Sequence, residues 1–301
     1  MLIHTRCPID GTDDADIEVY RANFDPNDVT TDTFSARRRP DRIHYRMVRN
    51  TRTGCLRADP VLDADTVRRL YEGSSVTQPQ VADMAAEAYR HYLDRALPLL
   101  PDRRGALEIG CGHGPFLKHL RSLGFERVAG VELSADAVAQ ADEDVHALII
   151  QNELAADSFP PETFSLVCGF QVLDHLLDPN ACLDACYHVL APGGVMYWIC
   201  HNVGAPLAKL LGERNPMIDI EHVVLYEPDT LRALFERNGF MVQDVFPVRN
   251  TYALAYWLHL APIPRVVKRP VEWFLGLTPL ARWRLGFGFG NMGIVARKPQ
   301  A

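Results

Sequence analysis

The chain has 301 residues, 48% hydrophobic and 23% charged, with a formal net charge of −7. That length supports one α/β domain with additions or two modest domains. The acidic balance excludes a dedicated nucleic-acid binder, whose footprint is basic. Seven scattered cysteines, an opening "MLIHTRCPIDGTDD" without an export pattern, and no apolar run near the ~20 residues of a bilayer span lead us to expect a cytoplasmic protein with reduced thiols.

In chain order, residues 1–60 are polar and rich in Arg and Asp. "DADTVRRLYE" and "VADMAAEAYRHYLDRALPLL" then carry apolar residues at three- and four-residue spacing and predict helices. From Gly105 strand and helix signals alternate. "ALEIG" predicts a buried strand, "PFLKHLRSLGF" a helix, "RVAGVEL" a strand and "SADAVAQADED" one helix. "HALIIQN" and "FSLVCGF" predict strands, "NACLDACYHVL" a helix and "GVMYWIC" a strand. "PDTLRALFERNGF" reads as a helix with a glycine stop, followed by strands "MVQDVFPV" and, near the end, "MGIVARKP". Such alternation implies βαβ units and a parallel sheet covered on both faces.

The stretch "GALEIGCGHGPFLKHL" places Gly110, Gly112 and Gly114 where a strand becomes a helix. Ligands of doubly wound sheets bind at such carboxyl ends, and glycine lets a ligand approach the backbone closely. The spacing is one residue short of the dinucleotide pattern. Glu132, ending the next strand, stands where a ribose diol is gripped by one carboxylate, with Leu133 placed to cover an adenine face. After the third strand, Glu153 could accept from an adenine amino group while Leu154 packs on the ring.

These residues, with "VELSADAV", "SFPPETFSLVCGFQVLDHLLDP", "LAPGGVMYW" and "IEHVVLYEPDTLRALFERNGF", resemble the class I S-adenosylmethionine-dependent methyltransferases from about Gly105 to Pro299. The resemblance implies a doubly wound, mostly parallel seven-stranded sheet of the Rossmann-like α/β class. It also implies S-adenosylmethionine as cofactor, with the glycine loop facing its methionine part. Glu108 is implied near the cofactor's ammonium, and Cys111 and Phe170 join Glu108, Gly110, Gly112, Glu132, Leu133, Glu153 and Leu154 as its contacts.

Methyl transfer to a hydroxyl profits from a base. His175, after the fourth strand, and His222, in the connection after the fifth, are the candidates, each weighed against a structural hydrogen-bonding role. Gln171, Asp174 and His175 fall at i, i+3 and i+4. Ubiquinone-pathway O-methyltransferases hold a metal with a similar E-x-x-E-H pattern, but Gln171 replaces the first carboxylate, and no metal is expected.

The segment 1–60 is similar to the zinc ribbon that precedes some methyltransferase domains. Only Cys7 survives of four thiolate positions, with Asp10, Asn50 and Thr53 at the others and Cys55 displaced by two residues. A ribbon that kept its shape and lost its metal is expected, followed by a methyltransferase domain over 61–301. The insertion at about 250–285 holds three of the four tryptophans; a substrate lid, a dimer contact and a membrane-surface anchor all fit its composition. We expect a lid of two short helices hinged at Pro262 and Pro264, with Tyr252, Tyr256 and Trp257 sharing one face of the first and touching the acceptor. The prolines and short apolar runs argue against a single interfacial helix, so neither vesicle binding nor stable membrane insertion is expected. The expected function is O-methylation of a small molecule in specialised metabolism. The alternatives are C- or N-methylation of a sugar or other metabolite, or a non-transferring cofactor-binding scaffold.

Overall fold

Residues 1–26, 29–34, 42–75, 79–155, 157–261 and 263–300 are described by the structure, a computed structural model; Pro262 lies outside them. The chain begins with β1 (Leu2–Ile3), β2 (Asp16–Tyr20), β3 (Met47–Asn50), β4 (Leu56–Ala58) and β5 (Val61–Leu62). Two helices follow, α1 (Ala64–Glu72) and α2 (Pro79–Leu93). The Asp63 carboxylate caps α1 by accepting from the Thr66 amide at 3.0 Å, the reason the helix starts there.

The doubly wound part runs β6 (Ala106–Ile109), α3 (Pro115–Ser122), β7 (Val128–Glu132), α4 (Ala135–Ala139), α5 (Glu143–His146), β8 (Ile149–Gln151) and β9 (Phe164–Phe170). It continues through α6 (Pro179–Val189), β10 (Leu190–His201), α7 (Pro206–Leu211), β11 (Val224–Leu225), α8 (Pro228–Arg237) and β12 (Met241–Ala253). It ends with α9 (Leu254–Leu260), α10 (Arg265–Gly276) and β13 (Arg284–Arg297). Seven strands form the central sheet in the order β12-β13-β10-β9-β6-β7-β8. The five from β10 to β8 are parallel, and β13 is antiparallel to both its neighbours. β6 is buried at all four residues and β9 at all but Phe170, the near-continuous apolar run of strands covered on both faces. The expected sheet is present.

Three local expectations are corrected. "SADAVAQADED" forms two helices, α4 and α5, not one. Asp142, Glu143 and Asp144 would sit at the carbonyl end of a single helix, where the dipole disfavours carboxylates; a new helix beginning at Asp142 places them at its favourable N-terminus. The last strand starts at Arg284, not near Met292, and β12 runs to Ala253, not Val248. The two pair from Asn250↔Phe287 through Ala253↔Arg284, so the insertion is a long hairpin whose tip, 254–283, is helical. Tyr252 therefore lies on a strand, and only Tyr256 and Trp257 lie on α9. Glycine is depleted in strands and hid the alternation in "RLGFGFGN".

Residues 1–62 are tied to the rest by main-chain pairing. A second sheet, ordered β11-β4-β3-β2, takes its fourth strand from the connection after β10, through Val224↔Arg57 and Leu225↔Leu56. Cys7, Phe34, Tyr45 and Leu56 share one buried cluster with Leu107, Trp198 and Phe235 of the central layer. At the expected ribbon positions Cys7 Sγ lies 3.2 Å from Thr53 Oγ1 and Asn50 Nδ2 lies 3.5 Å from Asp10 Oδ2. Hydrogen bonds join the four positions. The bond to Cys55 is the largest influence on the Cys7 thiol, lowering it to about 6, while that pairing and burial push Cys55 up.

Candidate active site

All the expected site residues line one cavity of ≈ 1480 Å³ over the carboxyl ends of the central strands. That exceeds the ~300–1,000 Å³ usual for one small ligand and leaves room for two.

At one end is the glycine loop. Gly110, Gly112 and Gly114 have φ of 65°, 56° and 84°, the left-handed region that favours glycine. A Cβ on Gly110 would meet Val172 Cγ2 at 2.4 Å, whereas one on Gly112 would meet no protein atom within 4 Å and enter the cavity. Both Glu132 oxygens accept backbone amides, from Gly112 at 2.9 Å and Ser134 at 2.8 Å. The carboxylate is thereby fixed, and each oxygen keeps a lone pair for a ribose hydroxyl. Burial raises its pKa, against the two amide bonds. Glu108 is 4% exposed and its Oε2 has no hydrogen-bond partner. Burial first, and then the Glu132 charge, pushes this carboxyl well up, and a ligand ammonium would satisfy it.

Cys111 is buried in the loop and Leu133 is half-buried beside Glu132. Phe170 stacks on Tyr89 with centroids 5.0 Å apart and meets Phe116 edge-on at 4.5 Å. Leu154 packs on the core, but Glu153 is exposed and ion-paired with Arg68 of α1. An adenine amino group would therefore compete with Arg68 for that carboxylate.

At the other end stand His175, His201 and His222 around Asp174. The His175 and His222 ring centroids are 4.7 Å apart, and those of His201 and His222 4.6 Å. His222 Nδ1 is 3.0 Å from the Met217 carbonyl, which can only accept, so Nε2 of the neutral ring carries the lone pair. Burial first, then the neighbouring His201 and His175, holds the His222 pKa well below the ordinary histidine value. His175 is lowered too, chiefly by burial; its Nδ1 is 2.8 Å from the Tyr71 hydroxyl, and it also bonds the Glu221 backbone. His201 Nδ1 bonds Asp174 Oδ2. Burial would raise the fully buried Asp174 carboxyl, but the His201 charge and hydrogen bond hold it below the usual range.

Asp174 Oδ1 has no partner, and Asp174, His175 and His222 offer ligand atoms within 4.8 Å of one another. This is the one group found among the described residues that could hold a metal ion. Gln171 is not on a helical turn with them: its backbone is left-handed at φ 56°, and its amide lies 3.4 Å from the Tyr89 hydroxyl.

Tyr252, Tyr256 and Trp257 meet despite the changed secondary structure, with Tyr252 centroids 4.9 Å from Tyr256 and 5.2 Å from Trp257. Trp257 Nε1 donates to the Leu285 carbonyl at 2.9 Å, which fixes the ring. Sequence reasoning missed His201, Tyr71 and Arg68. His201 directly follows the predicted strand "GVMYWIC", at the edge where ligands bind, a usable signal. Tyr71 and Arg68 lie on an N-terminal helix that nothing local connects to the site.

A doubly wound sheet whose glycine loop donates to the carboxylate ending the next strand, without dinucleotide spacing, is the arrangement of the class I S-adenosylmethionine-dependent methyltransferases, with that compound as cofactor. Residues 81–245 match the profile of the methyltransferase domain family, and the chain belongs to it. It is 30% identical over 154 residues to a ubiquinone biosynthesis O-methyltransferase of Paraburkholderia phymatum, covering 46% of this chain and 65% of that one. A protein of the same name from Pseudomonas entomophila is 31% identical over 168 residues, covering 50% and 72%. In fold the chain is similar to YcgJ of Bacillus subtilis, with a TM-score of 0.51 and 17% identity over 71% of this chain and 99% of that one. It is similar also to the cyclase SpnF, with a TM-score of 0.50 and 17% identity over 72% and 81%. The fold therefore does not by itself fix the reaction.

Proposed function

We propose that the protein transfers the methyl group of S-adenosylmethionine to a hydroxyl of a small-molecule acceptor. The observation that carries this reading is the one cavity that joins the glycine loop and Glu132 to a histidine lone pair and three aromatic side chains. The bound cofactor supplies an electrophilic methyl on a sulfonium. Glu132, Glu108 and the loop amides orient it, while Tyr252, Tyr256 and Trp257 pack the acceptor and exclude water. His222 Nε2 takes the hydroxyl proton as the oxygen forms its bond to the methyl carbon and the sulfur–carbon pair stays with sulfur. Asp174 faces the resulting imidazolium. Tyr71 holds His175 and acts as a positioning residue.

The relatives' names support oxygen as the acceptor atom, and a base poised in its neutral form suits a hydroxyl better than an already anionic carbon. We carry over the hydroxyl and not the quinone. The acceptor end is walled by α1 and by the hairpin 241–297, which lie largely outside the matched residues 81–245. We keep specialised metabolism as the setting for the same reason.

A second reading rests on the unpartnered Asp174 Oδ1: this oxygen, with His175 and His222, would hold a divalent cation that acidifies the acceptor hydroxyl. Incubation with methyl-labelled cofactor and a panel of phenols and catechols tests the proposal. It predicts label in an ether-linked methyl and S-adenosylhomocysteine in equal amount; a cofactor-binding chain that transfers to no acceptor would overturn it.

A further inference from the structure

The helical tip of the β12–β13 hairpin turns its two helices in opposite senses. α9 directs Tyr256 and Trp257 to the cavity. α10 is inverted relative to an ordinary surface helix. Its inward positions are Lys268, 7% exposed with Nζ 3.0 Å from the His259 carbonyl, and Glu272, which is half-buried. Its outward face is apolar: Val266 is 82% exposed, Trp273 70%, Phe274 66% and Leu277 67%, with Trp283 just beyond at 60%. Of the sixteen large hydrophobic side chains exposed among the described residues, nine lie between Ile263 and Trp283, so this is a patch and not scatter. Exposure of such side chains forgoes much of the largest favourable term available to them, which is sustained when the face has an apolar partner.

The charge identifies the partner. Residues 263–284 carry five basic residues against one acidic, net +4, in a chain of net −7. Arg269, Arg282 and Arg284 are exposed beside the apolar face. A second copy meeting this one across a two-fold axis would bring the same cationic segment against itself. An anionic lipid surface reverses that sign, and tryptophan with arginine at the rim of an apolar face is the composition of an interfacial helix. α10 has 12 residues, and no helix among the described residues is long and apolar enough to cross a membrane.

We propose that the α10 face docks the protein peripherally on anionic membrane surfaces, with the helix lying in the headgroup layer. The docked face adjoins the aromatic end of the cavity through α9, so that end sits against the lipid. The proposal does not depend on which acceptor is methylated, or on whether any is.

Co-sedimentation with vesicles of phosphatidylcholine containing about one third phosphatidylglycerol, against vesicles of phosphatidylcholine alone, tests it. At about 0.1 M salt the protein should pellet with the anionic vesicles, and about 0.5 M salt should release most of it. Trp273→Ser combined with Phe274→Ser should lower the vesicle partition coefficient at least about tenfold with the melting temperature unchanged, because both side chains are already in water. Arg269→Glu with Arg282→Glu should abolish the preference for anionic vesicles. Tryptophan emission should shift to the blue on binding, since Trp273 and Trp283 are exposed and Trp198 is already buried. Protein that stays in the supernatant with both vesicle types overturns the proposal. So does a stable dimer by light scattering that the Trp273/Phe274 variant converts to monomer, which would assign the face to a second copy.

Discussion

The two ends of the cavity are built in different ways. The end we assign to the cofactor is lined mainly by Glu108 to Leu154, consecutive strands and turns whose polar groups include two carboxylates, Glu108 and Glu132, the latter held by backbone amides. The acceptor end is gathered from α1, the turn after β9, the end of β10, the connection before β11 and the tip of a hairpin. Backbone geometry held by glycine survives changes in side chains, whereas a wall assembled from distant segments can change its shape one segment at a time. Residues 108–154 of the first end all lie within the family match 81–245, whereas the second end adds α1 and most of the hairpin from outside it.

Substitution at the acceptor end should produce the largest effect. If His222 accepts the acceptor proton, His222→Ala should lower kcat by ~10²–10⁴-fold while S-adenosylhomocysteine binds as before. Equal losses in rate and cofactor affinity would erase the division between the two ends. At the cofactor end, Glu132→Ala removes two positioned acceptors, each worth about 1.5–3 kcal/mol, and should weaken S-adenosylhomocysteine binding at least ~10-fold by calorimetry. Gly112→Val, at φ 56° and facing the cavity, should do the same through strain and bulk. Unchanged binding in both variants would sink the cofactor assignment.

Trp257→Ala should raise the acceptor KM several-fold, on the order of one to two kcal/mol of lost aromatic packing, with cofactor affinity unchanged. A fall in melting temperature without a KM change would make Trp257 part of the core.

The histidine cluster predicts the pH response of stability. Burial holds His175 and His222 below the unfolded histidine value of about 6.5. Below that pH the unfolded chain binds protons that the native cluster refuses. Stability is therefore complete above about 6.5 and should decline as pH falls from there. Urea midpoints at about pH 8 and pH 5.5 check the sign, and a double His175→Gln, His222→Gln variant should flatten the difference. Smallest of all is the effect expected of a chelator on the N-terminal segment, whose four ribbon positions are joined by hydrogen bonds. About one zinc per chain by elemental analysis would revive Cys7 and Cys55 as ligands.

The sequence by itself determined the sheet, the glycine loop and Glu132, because each rests on local rules. These are a buried strand, a positive φ that favours glycine, and a carboxylate at the next strand end. It also pointed to His175 and His222 as neighbours of the cavity, since both follow strands whose carboxyl ends border it. It misread the hairpin: glycines at every second position of β13 weakened the strand signal, and the tyrosine and tryptophan spacing imitated a helix across Tyr252.

Only the tertiary structure decided what those side chains meet. The His201–Asp174 bond joins residues 27 apart and the Tyr71–His175 bond residues 104 apart, and the Arg68–Glu153 pair closes a third long loop. No local pattern encodes such contacts. The inversion of α10 belongs to the same class. Its alternation of apolar and charged residues is visible in the sequence, but which face turns outward is fixed by the packing of the hairpin tip beneath it.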